Sequence, residues 1–207
     1  MKRVYLGNKE LTTIATVTNG GGGGGDDTQK WVDYFNGNLI EFTVPEGVTN
    51  INKYSFSTCT SLKSINLPDT LINIGEYAFY GCSSLTSITI PDGVTRIVGS
   101  TFYCENLTSA SIGNGVKNID YWGFIGCKKL TTVTIGTNIA SISDHAFQNC
   151  PSINYLTIKA TTPTSLGGSS AIPSSVSTIY VPSASVDTYK AANGWKNYAD
   201  KIQAIPS

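Results

Sequence analysis

One period governs this chain. Cysteines stand at 59, 82, 104, 127 and 150, and phenylalanines at 56, 79, 102, 124 and 147. A third series opens each apolar run: Leu39, Leu62, Leu85, Leu107, Leu130, Ile153 and Val176. Three residue types keep one step of 22 or 23 residues. Self-similarity at a fixed period in this range is the signature of a stacked repeat architecture.

Each unit reads alike. In Leu62-Lys63-Ser64-Ile65-Asn66-Leu67-Pro68, the residues Leu62, Ile65 and Leu67 point one way and Ser64 and Asn66 the other. That alternation predicts a short strand with one buried face. Pro68 cannot donate a backbone hydrogen bond and ends the strand. Leu71, Ile74, Ala78-Phe79 and Gly81-Cys82 follow, and later units fill the same slots with Val94, Ile97, Phe102 and Cys104, then Val116, Ile119, Phe124 and Cys127. One such unit buries too little apolar surface to offset the entropy of ordering it. Stacking covers each unit's open face with the next. The expected fold is a mainly β solenoid whose parallel sheet holds about seven short strands, roughly 29 Å long, capped by short helices at both ends.

The pattern resembles the BspA-like leucine-rich repeat family. Residues 87–97 carry its Ile-x-Ile-Pro strand and the Val-x-x-Ile that follows, as Ser87-Ile88-Thr89-Ile90-Pro91-Asp92-Gly93-Val94-Thr95-Arg96-Ile97; Tyr77-Ala78-Phe79-Tyr80-Gly81-Cys82 carries its Ala-Phe-x-x-Cys segment. The resemblance covers residues 39–158 and extends to a terminal unit running from Ile179-Tyr180-Val181-Pro182 to Ile202. It implies a bacterial leucine-rich repeat protein of the surface or secreted kind, engaged in adhesion and host contact.

The chain divides into an arm (1–19), a glycine linker (20–25), an N-terminal capping helix (26–38), the repeats (39–181) and a C-terminal helical cap (182–207). In the arm, Val4-Tyr5-Leu6 and a run from Leu11 through Ile14 to Val17 read as two strands joined through Gly7-Asn8. The six glycines that follow read as a flexible tether, so the arm is expected to attach the repeats to something else. Asp26-Asp27-Thr28 reads as a helix cap before Trp31, Val32 and Phe35. Ser183 or Ser185 is expected to cap a helix carrying Val186, Tyr189 and Ala192, ended by Asn193-Gly194; Trp195, Tyr198 and Ile202 continue an apolar stripe at helical spacing. Thr161 to Pro173 lacks Phe and Cys and is expected to bulge as a loop. Lys2-Arg3 is not followed by an apolar stretch of the length a secretory signal needs.

Chemistry is sparse. Five cysteines, one per repeat and at constant phase, form no Cys-x-x-Cys pair and read as a core column, with no metal site and no cofactor. His145, the only histidine, shares its slot with Tyr54, Tyr77 and Trp122, a half-exposed aromatic row, so no Ser-His-acid or Cys-His set can be assembled and no enzyme is expected. The glycine run lacks the Gly-Lys-Ser/Thr of a phosphate loop. With 14 basic and 14 acidic residues, nucleic-acid capture and membrane insertion have no support.

The candidate contact surface is the outward face of the strands: Glu41/Thr43, Ser64/Asn66, Ser87/Thr89, Ser109/Ser111, Thr132/Thr134, Tyr155/Thr157 and Thr178/Tyr180. Small hydroxyls suit a flat hydrogen-bonding surface for a protein or carbohydrate partner, and equally a solvated sheet face. Tyr155 and Tyr180 mark its least bland end. Two function classes stay open at this stage: a binding or adhesion scaffold of a bacterial surface, and a structural, decoration or receptor-binding component of a bacteriophage particle attached through residues 1–19, in contact there with other copies or other chains.

Overall fold

Apolar side chains at every second strand position can be buried only if a neighbouring strand stands alongside, and the repeat supplies that neighbour one turn later. The computed structural model describes residues 39–207 and the backbone of 5–6 and 9–10. The expected N-terminal helix, the glycine tether, Val4, Leu11, Ile14 and Val17 lie outside the described residues. Within the arm, β1 (Tyr5–Leu6) and β2 (Lys9–Glu10) pair antiparallel, Leu6 opposite Lys9. The second strand therefore begins at Lys9, ahead of the apolar run from Leu11, because a two-residue connection pairs its immediate flanks.

The described chain coils with three sides to each turn. The first side carries β3 (Glu41–Thr43), β5 (Ser64–Asn66), β8 (Ser87–Ile90), β11 (Ser109–Ile112), β13 (Thr132–Ile135), β15 (Tyr155–Ile158), β17 (Thr178–Val181) and β18 (Ile202–Ala204). Parallel ladders join β3 to β5 and run unbroken from β8 to β18. The second side carries β4 (Asn50–Ile51), β6 (Asn73–Ile74), β9 (Arg96–Ile97), β12 (Asn118–Ile119), β14 (Ser141–Ile142) and β16 (Ser165–Leu166). On the third side, β7 (Phe79–Tyr80) pairs with β10 (Phe102–Tyr103). The sheet thus has eight strands among the described residues, one more than the repeat pattern suggested. The extra strand is β18, placed opposite β17 with Ile179 facing Ile202.

Between the sides run straight apolar columns. Leu62, Leu85, Leu107 and Leu130 are fully buried, as are Phe56, Phe79, Phe102 and Phe124. Successive phenylalanine rings stack at 5.4, 5.3, 4.7 and 5.5 Å from Phe56 to Phe147. The column exists because each turn repeats its predecessor's backbone one strand spacing on, so identical side chains meet as in a zipper.

The C-terminal cap differs from expectation. A single turn at Ser183–Ser185 leads into α1 (Val186–Ala191), and neither Ser183 nor Ser185 makes a side-chain capping bond. Trp195–Tyr198 forms a second 3-10 turn, and Ile202 belongs to β18 and not to a helical stripe. The stretch from Thr161 to Pro173 is no bulge: β16 pairs with β14, and Ala171 and Ile172 are buried in the slots that Ala146 and Phe147 fill one turn earlier. The buried Tyr189 hydroxyl reaches the carbonyls of Ala160 and Thr162 (3.1 and 3.0 Å). The Trp195 indole donates to Thr164 O (2.6 Å) and Tyr198 to Ser169 O (3.2 Å).

Phe102 sits mid-column between Phe79 and Phe124, so Phe102→Ala leaves a void that no neighbour can fill without breaking the stack. We expect a loss of about 3–5 kcal/mol in stability, read as a lower urea midpoint at unchanged slope.

Candidate functional site

Strand pleating sets the candidate surface. Alternate residues of each first-side strand face away from the core, and the parallel register aligns them into two rows. One row runs Ser87, Ser109, Thr132, Tyr155, Thr178; the other runs Thr89, Ser111, Thr134, Thr157, Tyr180, Gln203. Ser64 and Asn66 extend them on β5, opposite Glu41 and Thr43. Asn66, Ser87, Thr89, Ser111 and Tyr155 are exposed; Ser64, Ser109, Thr132, Thr134, Thr157 and Tyr180 are half-buried against one another. The structure therefore brings every outward residue read from the strands onto one face. Asn66 Nδ2 donates to Thr43 Oγ1 at 3.4 Å, and the Tyr155 and Tyr180 rings stack at 6.4 Å. Between β5 and β8 a depression of about 310 Å³ opens, lined by Ser64, Asn66, Ser87 and Thr89.

Sequence reasoning left a second exposed surface out of the site. At the corner between the second and third sides stand Tyr54, Tyr77, Trp122 and His145, joined by Tyr80, Tyr103 and Tyr121. Tyr54 stacks on Tyr77 at 5.0 Å, Tyr80 on Tyr103 at 4.8 Å, and Tyr121 lies 4.5 Å from Trp122 and 5.2 Å from His145. A signal was present: Tyr80 and Tyr103 are 23 residues apart.

Ion pairs link neighbouring turns: Lys53 to Glu76 (2.6 Å), Arg96 to Asp120 (2.7 Å) and Lys128 to Glu105 (2.8 Å). Lys128 holds the Glu105 carboxyl below its ordinary range. The Asn114 backbone N–H does the same for Asp92, with its side-chain amide adding to the effect. Exposed pairs of this kind add little stability. They leave the corner with matched charge.

The cysteines are structural. Cys82, Cys104 and Cys150 donate to the carbonyls of Phe56, Phe79 and Phe124, each in an earlier turn, at 3.1, 3.2 and 2.9 Å. Burial, then the neighbouring Cys82, pushes the Cys104 thiol well above its ordinary value; Cys150 and burial do so for Cys127. Thiols held this way are poor nucleophiles. His145 Nδ1 lies 3.4 Å from Asp144 Oδ2, and Asp144 accepts the Ser170 N–H at 2.8 Å. Among the described residues no three His, Cys, Asp or Glu side chains are grouped as a metal site, and no helix is long and apolar enough to cross a membrane.

Comparison with known proteins matches this geometry. The BspA type Leucine rich repeat region matches residues 33–154 in six copies. The chain belongs to the BspA-type leucine-rich repeat family. Its fold is similar to that of the pneumococcal vaccine antigen PcpA, with a TM-score of 0.62 and 22% identity over 81% of this chain and 41% of that one. A leucine-rich repeat protein of T. pallidum gives a TM-score of 0.56 and 24% identity over 82% of this chain and 75% of that one. This BspA-type chain thus spans less than half of the pneumococcal protein. No curated protein matches it.

The core column sets a test. The native protein should leave all five thiols unlabelled by a thiol-reactive dye over minutes, and urea should release all five together. A single fast-reacting thiol in the native state would contradict the column.

Proposed function

We propose that this chain is a non-catalytic binding or adhesion scaffold that presents the outward face of its long parallel sheet to a protein or carbohydrate partner. The observation that carries this reading is the pair of hydroxyl- and amide-bearing rows, which the ladder from β8 to β18 holds in register. A rigid backbone fixes where each polar group stands, so little entropy is lost when a partner meets them. Most of these side chains are short, which keeps the surface flat. Membership in the BspA type family and the likeness of fold to a pneumococcal antigen support a surface role. Repeat frames keep their core while their faces vary, so the ligand follows from the face and not from the fold.

The test uses a double variant, Thr89→Lys with Ser111→Glu. The two residues face each other across β8 and β11, so the new charges pair and the sheet tolerates them. Fluorescently labelled protein is applied to immobilised mucin, to epithelial monolayers and to bacterial cells. Wild type is expected to be retained on at least one, and the variant to be retained at least tenfold less at an unchanged urea midpoint. Equal retention of the two would place the contact elsewhere.

A further inference from the structure

We infer that the corner aromatic row is a second contact surface, distinct from the sheet face, and that it takes an extended, uncharged polysaccharide.

The backbone under the row is the first argument. Tyr54, Tyr77, Trp122 and His145 all have positive φ, at 64°, 57°, 65° and 57°. In that region the β-carbon crowds the following carbonyl, so glycine sits there freely while a bulky side chain is disfavoured. Each turn has a companion left-handed slot four residues on, and there the chain uses Gly81, Gly126 and Asn149, with Thr58 the exception. Glycine thus serves where only the backbone matters. The first slot keeps its rings against the backbone's preference, which is how strain marks a functional position.

The rings are also not needed inside. The phenylalanine column closes the core of the same turns, while Tyr54 is 53%, Tyr121 44% and Trp122 39% exposed. They are nonetheless held still. The Trp122 indole donates to the Gln148 side-chain oxygen. The Tyr103 ring lies across Gly126 so closely that a β-carbon there would stand 2.4 Å from it. Contact residues fixed before binding lose less entropy on binding.

The surroundings choose the partner. Sugar rings offer apolar C–H faces rimmed by hydroxyls, and so call for aromatic rings beside amides and hydroxyls. The row runs across successive turns, and at His145 it enters a cleft of about 780 Å³ lined by Gln148, Asn149, Asn197, Tyr198 and Lys201. The charges along the corner are paired, and the Lys201 ammonium already donates to Val176 O at 2.7 Å, so a polyanion finds no free cluster of cations. A folded protein partner would ask for a broad apolar patch, and the rings instead form a narrow line.

Native gels cast with soluble xylan, hydroxyethyl cellulose, pullulan or heparin provide the experiment. Full-length protein should be slowed by at least one of the three neutral polymers. Trp122→Gly and Tyr54→Gly remove a ring at a position glycine prefers, so cooperative unfolding should survive, and each should weaken the apparent affinity at least tenfold. The Thr89→Lys, Ser111→Glu variant should bind as wild type does. The inference falls if no neutral polymer slows the protein, if only heparin does, or if Trp122→Gly is slowed as much as wild type. Loss of retardation in the sheet-face variant alone would also overturn it, while leaving the sheet-face reading intact.

Discussion

In this fold a turn cannot satisfy its own backbone. The strands are two to four residues long and lie one per side, so their N–H and C=O groups find partners only in the turns before and after. On the third side Phe56, Phe79, Phe102 and Phe124 each donate to a carbonyl one turn later. On the second side Gly75, Asp120, Ser143 and Gly167 each donate to a carbonyl one turn earlier. Because buried backbone groups left unpaired are costly, adjacent turns must share backbone conformation as well as length. The side-chain columns follow from that identity of backbone. The phenylalanines stack and the thiols reach the preceding phenylalanine carbonyls because the turns superimpose.

The same dependence defines what an end must do. Ala140 O and Ile142 O accept Ser165 N–H and Gly167 N–H from the next turn. In that next turn the residue in register with Ala140 is Thr164, and beyond it no further repeat stands. The Trp195 indole occupies the donor's place, and the Tyr189 hydroxyl serves Ala160 and Thr162 in the same way. The cap therefore replaces backbone donors with aromatic side-chain donors while its rings cover the apolar end. One short helix and two 3-10 turns suffice, since rings that bury widely and carry one polar handle do both tasks.

What the sequence revealed follows from this. A periodic backbone writes a periodic sequence, so the strands, the buried columns and the outward rows could be read from spacing alone. The errors fell where a second pattern overlay the first. Trp195, Tyr198 and Ile202 fit a helical stripe, yet Ile202 also stands 23 residues after Ile179, and the repeat period was the one that held. The sixth turn looked like a loop because Leu166 and Ile172 are displaced by one and two residues from the slots set by Ile142 and Phe147. The corner row was visible as residues but not as a site, because a left-handed backbone leaves no mark in apolar periodicity. Its trace lay in the companion slot, where Gly81 and Gly126 recur.

The two surfaces also differ in how the frame constrains them. Every residue of a first-side strand is locked by the parallel ladder, and a change of one residue there would turn its buried face outward. The corner is freer. The one 22-residue step arises because Phe102 and Cys104 are two residues apart where other turns have three, and that turn shows no left-handed residue between them. The insertions of the sixth turn likewise fall outside the first-side strands, and β15 and β17 stay paired across them. Length changes are therefore absorbed at the corner, beside the aromatic row, while the sheet face keeps a fixed grid. A solenoid built this way can alter the shape of one contact surface without disturbing the geometry of the other.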